Sequence, residues 1–88
     1  MPLIKLYGNL RQLAGVSQAQ ADGATVRRVI EALCTNNAAL RDAIMDGDTL
    51  CAHVRVMVNG RDAELAQGLD TPVRADDQIA IFPPIAGG

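Results

Sequence analysis

Thr25-Val26-Arg27-Arg28-Val29-Ile30-Glu31-Ala32-Leu33, TVRRVIEAL, is the stretch that decides the fold. Val26, Val29, Ile30 and Leu33 fall at i, i+3, i+4 and i+7, one apolar stripe at helical period, with Arg27, Arg28 and Glu31 on the opposite side. Thr25 stands where a side-chain oxygen can accept from the freed N–H groups of a first turn, so it is predicted to be the N-cap. A helix of this length crosses one face of a sheet. Asn36-Asn37 interrupts the pattern, and Leu40 to Met45 reads as a second short helical piece stopped by Asp46-Gly47.

Strands flank this helix on both sides. Ile4 and Leu6 alternate with Lys5 and Tyr7, then Gly8-Asn9 leads into a brief Leu10, Leu13 helical turn that ends at Gly15. Ser17 to Ala21 alternates weakly as a returning strand. Downstream, Val54, Val56 and Val58 alternate with Arg55 and Met57 and run into Asn59-Gly60, a dipeptide that favours the two positive φ angles of a type I′ hairpin turn. Leu65 to Leu69 reads as loop or a single turn. Asp76-Asp77 then turns into Ile79-Ala80-Ile81-Phe82, the last strand. Pairing the first and last strands in parallel at the centre keeps every connection short and permits a right-handed helical crossover. The expectation is an α+β chain with the β-grasp, ubiquitin-like architecture: a mixed sheet of about five strands and one main crossing helix, spanning residues 1–82 and followed by a tail over 83–88.

At 88 residues the chain holds one core, and its two aromatics, Tyr7 and Phe82, leave that core to Val, Ile, Leu and Ala. A formal net charge of -2 with mixed signs, no basic run and no aromatic stacking platform argue against a nucleic-acid partner. No stretch approaches the roughly 20 apolar residues of a membrane helix, and the N-terminus lacks the apolar run of a secretion signal, so a cytoplasmic location is expected. Cys34 and Cys51 match neither a C-x-x-C redox pair nor half of a zinc site and read as free thiols. His53 has no second ligand or nucleophile near it in the sequence and reads as a surface histidine. Gly8, Gly15, Gly23, Gly47 and Gly60 are scattered turn residues, not a phosphate-cradling loop. No metal site and no catalytic constellation of its own is expected.

The ending, Ile81-Phe82-Pro83-Pro84-Ile85-Ala86-Gly87-Gly88, is unlike a solvated tail, which would carry polar or charged residues. Pro83-Pro84 removes two backbone donors and favours an extended path, so this segment cannot fold back into a ladder and loses less entropy on docking. Ile85 and Ala86 offer apolar contact, and Gly87-Gly88 lacks Cβ atoms, which suits a narrow passage through another protein. Six residues follow Phe82, and at roughly 3.3 Å each they reach about 20 Å beyond the sheet. A terminal carboxyl with a pKa of about 3.3 to 3.7 is a carboxylate at neutral pH, able to attack an activated phosphate. The ending therefore reads as a substrate arm. Strand faces alternate and the register is not fixed by sequence, so Phe82 is either core or partner-facing.

Together, VNG at the hairpin, TPVRADDQIAIFPPIAGG at the end and the domain length resemble the sulfur-carrier family of MoaD and ThiS. Asp76 occupies a position that is usually glycine in such proteins, and an Asp tolerates the left-handed region there better than most residues. The resemblance implies that an E1-like enzyme uses ATP to adenylate Gly88 and that a sulfur donor system converts the adenylate to a thiocarboxylate. The sulfur then passes to an acceptor synthase. It implies insertion of Gly87, Ala86, Ile85, Pro84 and Pro83 into partners, a partner interface at Phe82 and Arg11, and no stably bound cofactor. Phe-Pro-Pro is closest to the small subunit of molybdopterin synthase, which points to that enzyme's large subunit as acceptor. Thiazole or cysteine-type sulfur pathways, a ubiquitin-like protein modifier and a non-covalent interaction module remain alternatives.

Overall fold

The computed structural model describes residues 1–84. In chain order the elements are β1 (Leu3–Leu6), α1 (Asn9–Ala14), β2 (Gln18–Gln20), α2 (Val26–Leu33), α3 (Ala38–Ile44), β3 (Met45–Asp46), β4 (Thr49–Leu50), β5 (Arg55–Val58), β6 (Arg61–Asp62) and β7 (Gln78–Phe82). Five strands form one mixed sheet in the order β2-β1-β7-β5-β6. Its centre is the expected parallel pair, β1 against β7, with Leu3 opposite Gln78 and Leu6 opposite Ile81. The remaining pairs are antiparallel. This is the β-grasp.

The crossing helix forms for the reasons its sequence gives. The Thr25 hydroxyl accepts from the Arg28 N–H at 3.3 Å, and Val26, Val29 and Ile30 are buried. They meet Ile4 and Leu6 of β1, Val56 of β5 and Ile79 and Ile81 of β7, with Leu10, Leu40 and Ile44 closing the ends of the same core. Burying such side chains at about 1.5 to 3 kcal/mol each supplies the main favourable term of folding. All these strand residues point to one face, so Lys5, Met57, Ala80 and Phe82, one step out of phase, occupy the other.

At the hairpin, Asn59 and Gly60 take φ 51° and 82°, the two positive values of a type I′ turn. Asn59 also ties this turn to the start of β7. Its N–H donates to the Gln78 carbonyl at 2.8 Å, and its side-chain oxygen accepts from the Gln78 N–H at 2.9 Å. Its amide donates to Asp77 at 2.9 Å. The Arg74 N–H donates to the same carboxylate at 2.7 Å, and these two donors, the backbone one first, hold the Asp77 carboxyl below its ordinary pKa.

Three local readings need correction. The second helix starts at Ala38, capped by Asn37, whose side-chain oxygen accepts from the Leu40 N–H at 3.0 Å, and it ends at Ile44. Met45 instead enters β3, which pairs with β4 around Gly47-Asp48; Gly47 at φ 63° opens a tight turn there, where Asp46-Gly47 reads as a helix stop. Asp76 needs no left-handed conformation, because the turn closes through the Asp77 N–H donating to the Arg74 carbonyl at 3.1 Å with no positive φ at either Asp. Between β6 and β7 the chain makes two 3-10 turns, Ala63–Leu65 and Gly68–Asp70. Buried Thr71 anchors them: its hydroxyl donates to the Gly68 carbonyl at 2.7 Å and accepts from the Gln67 N–H at 3.1 Å.

Candidate functional site

The face of the sheet away from the helices carries the candidate site. The register that sets Leu6 beside Ile81 brings the next residues, Tyr7 and Phe82, side by side. Their rings stack with centroids 4.4 Å apart and planes 12° from parallel. Tyr7 is 38% exposed and Phe82 is half-buried, so the pair is a surface feature and not part of the core. The choice left open by the sequence is thereby decided: Phe82 packs outside the helix-covered core.

Beyond the stack the chain leaves the sheet through Pro83 and Pro84, beside an open groove of about 920 Å³ lined by Gly8, His53, Arg55, Met57, Phe82, Pro83 and Pro84. Its lining is mainly apolar, with Arg55 and His53 as its polar members. Arg55 pairs with Phe82 across the strands and is held at 2.8 Å by Asp62, which is largely buried. His53 sits at φ 67° in the turn closed by the Val54 N–H on the Cys51 carbonyl. Such a third turn position favours Gly or Asn, so the histidine costs some backbone strain at the rim of the groove.

Of the residues expected to form the site, Phe82, Pro83 and Pro84 line one groove. Arg11 stands exposed on α1, its N–H donating to the Gly8 carbonyl at 3.2 Å, which places it one turn from the groove without lining it. Ile85, Ala86, Gly87 and Gly88 lie outside the described residues. Gly8, His53, Arg55 and Met57 complete the groove, and Tyr7 stacks on Phe82 beside it; none of them is legible in the sequence, where the standing of Tyr7 as the other aromatic is the one usable signal. The thiols are elsewhere. Cys34 is buried, and burial raises its pKa against a smaller opposing effect of Arg41, which keeps it protonated and a poor nucleophile. Cys51 is half-buried and its thiol donates to the Asp42 carbonyl at 3.4 Å. Among the described residues no group of three His, Cys, Asp or Glu could hold a metal ion.

A half-buried aromatic on the open face of the sheet behaves differently on truncation from one in the core. Phe82→Ala should lower folding stability by about 0.5 to 1.5 kcal/mol, the worth of an aromatic pair, against about 3 to 5 for a core Phe. Thermal melting checks this, and a core-sized stability loss would remove Phe82 from the groove.

A β-grasp sheet whose open face bears the Tyr7–Phe82 stack and whose last strand leads into Pro83-Pro84 defines a ubiquitin-like protein. The chain belongs to the ThiS family, which it matches over residues 4–88. It is 33% identical over 88 residues to small archaeal modifier protein 1 of Haloferax volcanii, covering 96% of this chain and 97% of that one. Its structure is similar to one chain of the Amycolatopsis orientalis BexX/CysO complex, with TM-score 0.91 and 27% identity over 100% of this chain and 100% of that one. Mycobacterium tuberculosis CysO superimposes with TM-score 0.85 at 26% identity over 97% of this chain and 100% of that one.

Proposed function

We propose that the chain is a sulfur carrier whose terminal Gly88 is activated by an E1-like enzyme and loaded with sulfur. The observation that carries this reading is the ThiS family match, which runs through the Gly-Gly end to residue 88. A carboxylate oxygen of Gly88 attacks the α-phosphate of ATP and pyrophosphate leaves. The terminal sulfur of a donor persulfide then attacks the acyl carbon, and AMP leaves with the bonding electron pair. A second thiol cleaves the resulting S–S bond, forming a disulfide with the donor and releasing the thiocarboxylate. The carrier's residues supply docking and reach: Tyr7, Met57 and Phe82 for apolar contact, Pro83-Pro84 for direction, and the glycines for passage. Phe82-Pro83-Pro84 favours the large subunit of a molybdopterin synthase as acceptor.

Intact mass of the protein from its native host tests the reading: replacement of one terminal oxygen by sulfur supports it, and a free unmodified end in cells starved of the acceptor's product counts against it. A second reading is favoured by the likeness to small archaeal modifier protein 1, namely attachment of Gly88 to a lysine amine of another protein. Both readings start from the same adenylate, and an attached protein in the mass spectrum would select the second.

Because neither thiol lies in the groove and Cys34 is kept protonated, sulfur transfer should survive loss of both cysteines. Cys34→Ala with Cys51→Ala should retain wild-type thiocarboxylate formation on an organomercury gel, with the thiol background removed. Loss of the shifted band in a variant that still melts cooperatively would place a cysteine in the relay.

A further inference from the structure

We infer that Gly8 is the positioning residue that aims the C-terminal arm, an inference that rests on the carrier reading above. Gly8, the N-cap of α1 two residues past β1, takes φ 58° and ψ -139°, a conformation open in practice to glycine alone. That backbone lets the β1–α1 corner lie flush on the root of the arm. A Cβ built on Gly8 would stand 2.7 Å from Cγ of Pro83, 3.5 Å from its Cδ and 4.0 Å from its Cβ. The atom in the way is Cγ of a ring closed onto the backbone, so a Cβ there has to change the pucker of Pro83 or push the whole ring, and with it the root of the arm, off the corner.

Tyr7 and Gly8 grip consecutive residues of the arm. Tyr7 stacks on Phe82 at 4.4 Å, and Gly8 seats the Pro83 ring. With φ of Pro83 fixed by its own ring, seating that ring fixes the heading of the chain that follows. The heading matters because the reacting carboxylate lies six residues past Phe82. An angular error at Pro83 displaces everything that follows it. Docking through Tyr7, Met57 and Phe82 would survive such an error while the carboxylate missed the nucleotide, so the residue should act on turnover and spare affinity.

The test is a double-mutant cycle in ATP–pyrophosphate exchange with the cognate activating enzyme. Gly8→Ala should lower kcat about tenfold or more with KM for the carrier retained. Pro83→Ala, which removes Cγ and Cδ, should lower kcat in the same way, and adding Gly8→Ala to it should cause no further loss. Backbone strain at position 8 should lower the melting temperature equally in both backgrounds. Equal kcat losses in the two backgrounds, or wild-type kcat in Gly8→Ala, would overturn the inference while leaving the carrier reading intact. No exchange by wild type with its activating enzyme would instead remove the carrier reading. The geometry is then read in the free protein, from the Cα–Hα residual dipolar couplings of Pro83 and Pro84 against the alignment of the sheet. These couplings should change in Gly8→Ala and keep one orientation in wild type; unchanged couplings would overturn the inference. Should Gly8→Ala fail to fold, the wild-type couplings carry the test: Pro83 and Pro84 averaging over several orientations against the sheet would overturn the inference.

Discussion

Adding one residue after Gly88, or replacing Gly87 by Val, is expected to abolish adenylation while the domain melts at its wild-type temperature. The reacting carboxylate has to occupy one point beside the α-phosphate of ATP, and an extra residue displaces it by up to about 3.5 Å, outside near-attack distance. Val at position 87 brings a branched Cβ into a passage suited to bare backbone. Neither change reaches the buried core, whose last member along the described chain is Ile81. ATP–pyrophosphate exchange with the activating enzyme, run on wild type, Gly87→Val and the extended chain, reads the effect directly. Wild-type exchange by both variants, with mass spectra showing no trimming back to Gly-Gly, would replace the activated-terminus mechanism by a non-covalent module.

The order of dependence in this experiment also shows which parts of the protein were legible in the sequence. Thr25 and the spacing of Val26, Val29 and Ile30 act through contacts within one helical turn or two, so their helix is readable locally. Asn59-Gly60 is readable for the same reason: two adjacent positive φ angles leave few residue choices. The β3–β4 hairpin escaped because strands of two residues, Met45–Asp46 and Thr49–Leu50, are too short to show alternation. Asn37 hid its role as a cap because the same Asn36-Asn37 pair reads equally well as a break. The groove escaped for a different reason. Tyr7 and Phe82 lie at opposite ends of the sequence, and their meeting depends on the Leu6 to Ile81 register, in which a slip by one residue would send them to opposite faces. The arm can be singled out from sequence because its residue types, Pro-Pro and Gly-Gly, need no tertiary partner to be recognised; beyond Pro84 it lies outside the described residues.

That same register predicts opposite outcomes for two adjacent residues. Ile81 is fully buried in the central strand, paired with Leu6 of β1 on one side and Val56 of β5 on the other, and its side chain faces the helices. Ile81→Ala should therefore cost about 2 to 5 kcal/mol, through lost burial and a cavity the surrounding strands cannot close. A domain of this length holds about 4 to 13 kcal/mol at 0.05 to 0.15 per residue, so the loss is a large share of its stability. Each kcal/mol should move the melting temperature by about 4 to 8 °C, which makes the expected fall easy to measure. Phe82→Ala, one position further on, should melt far closer to wild type yet bind the activating enzyme worse. Below its melting temperature, folded Ile81→Ala should bind with near wild-type affinity, since no Ile81 atom reaches the open face. The two variants, compared by melting and calorimetry, thus separate what holds the sheet together from what the sheet presents. Equal stability losses at positions 81 and 82 would mean that the face assignment, and with it the groove at the root of the arm, is wrong.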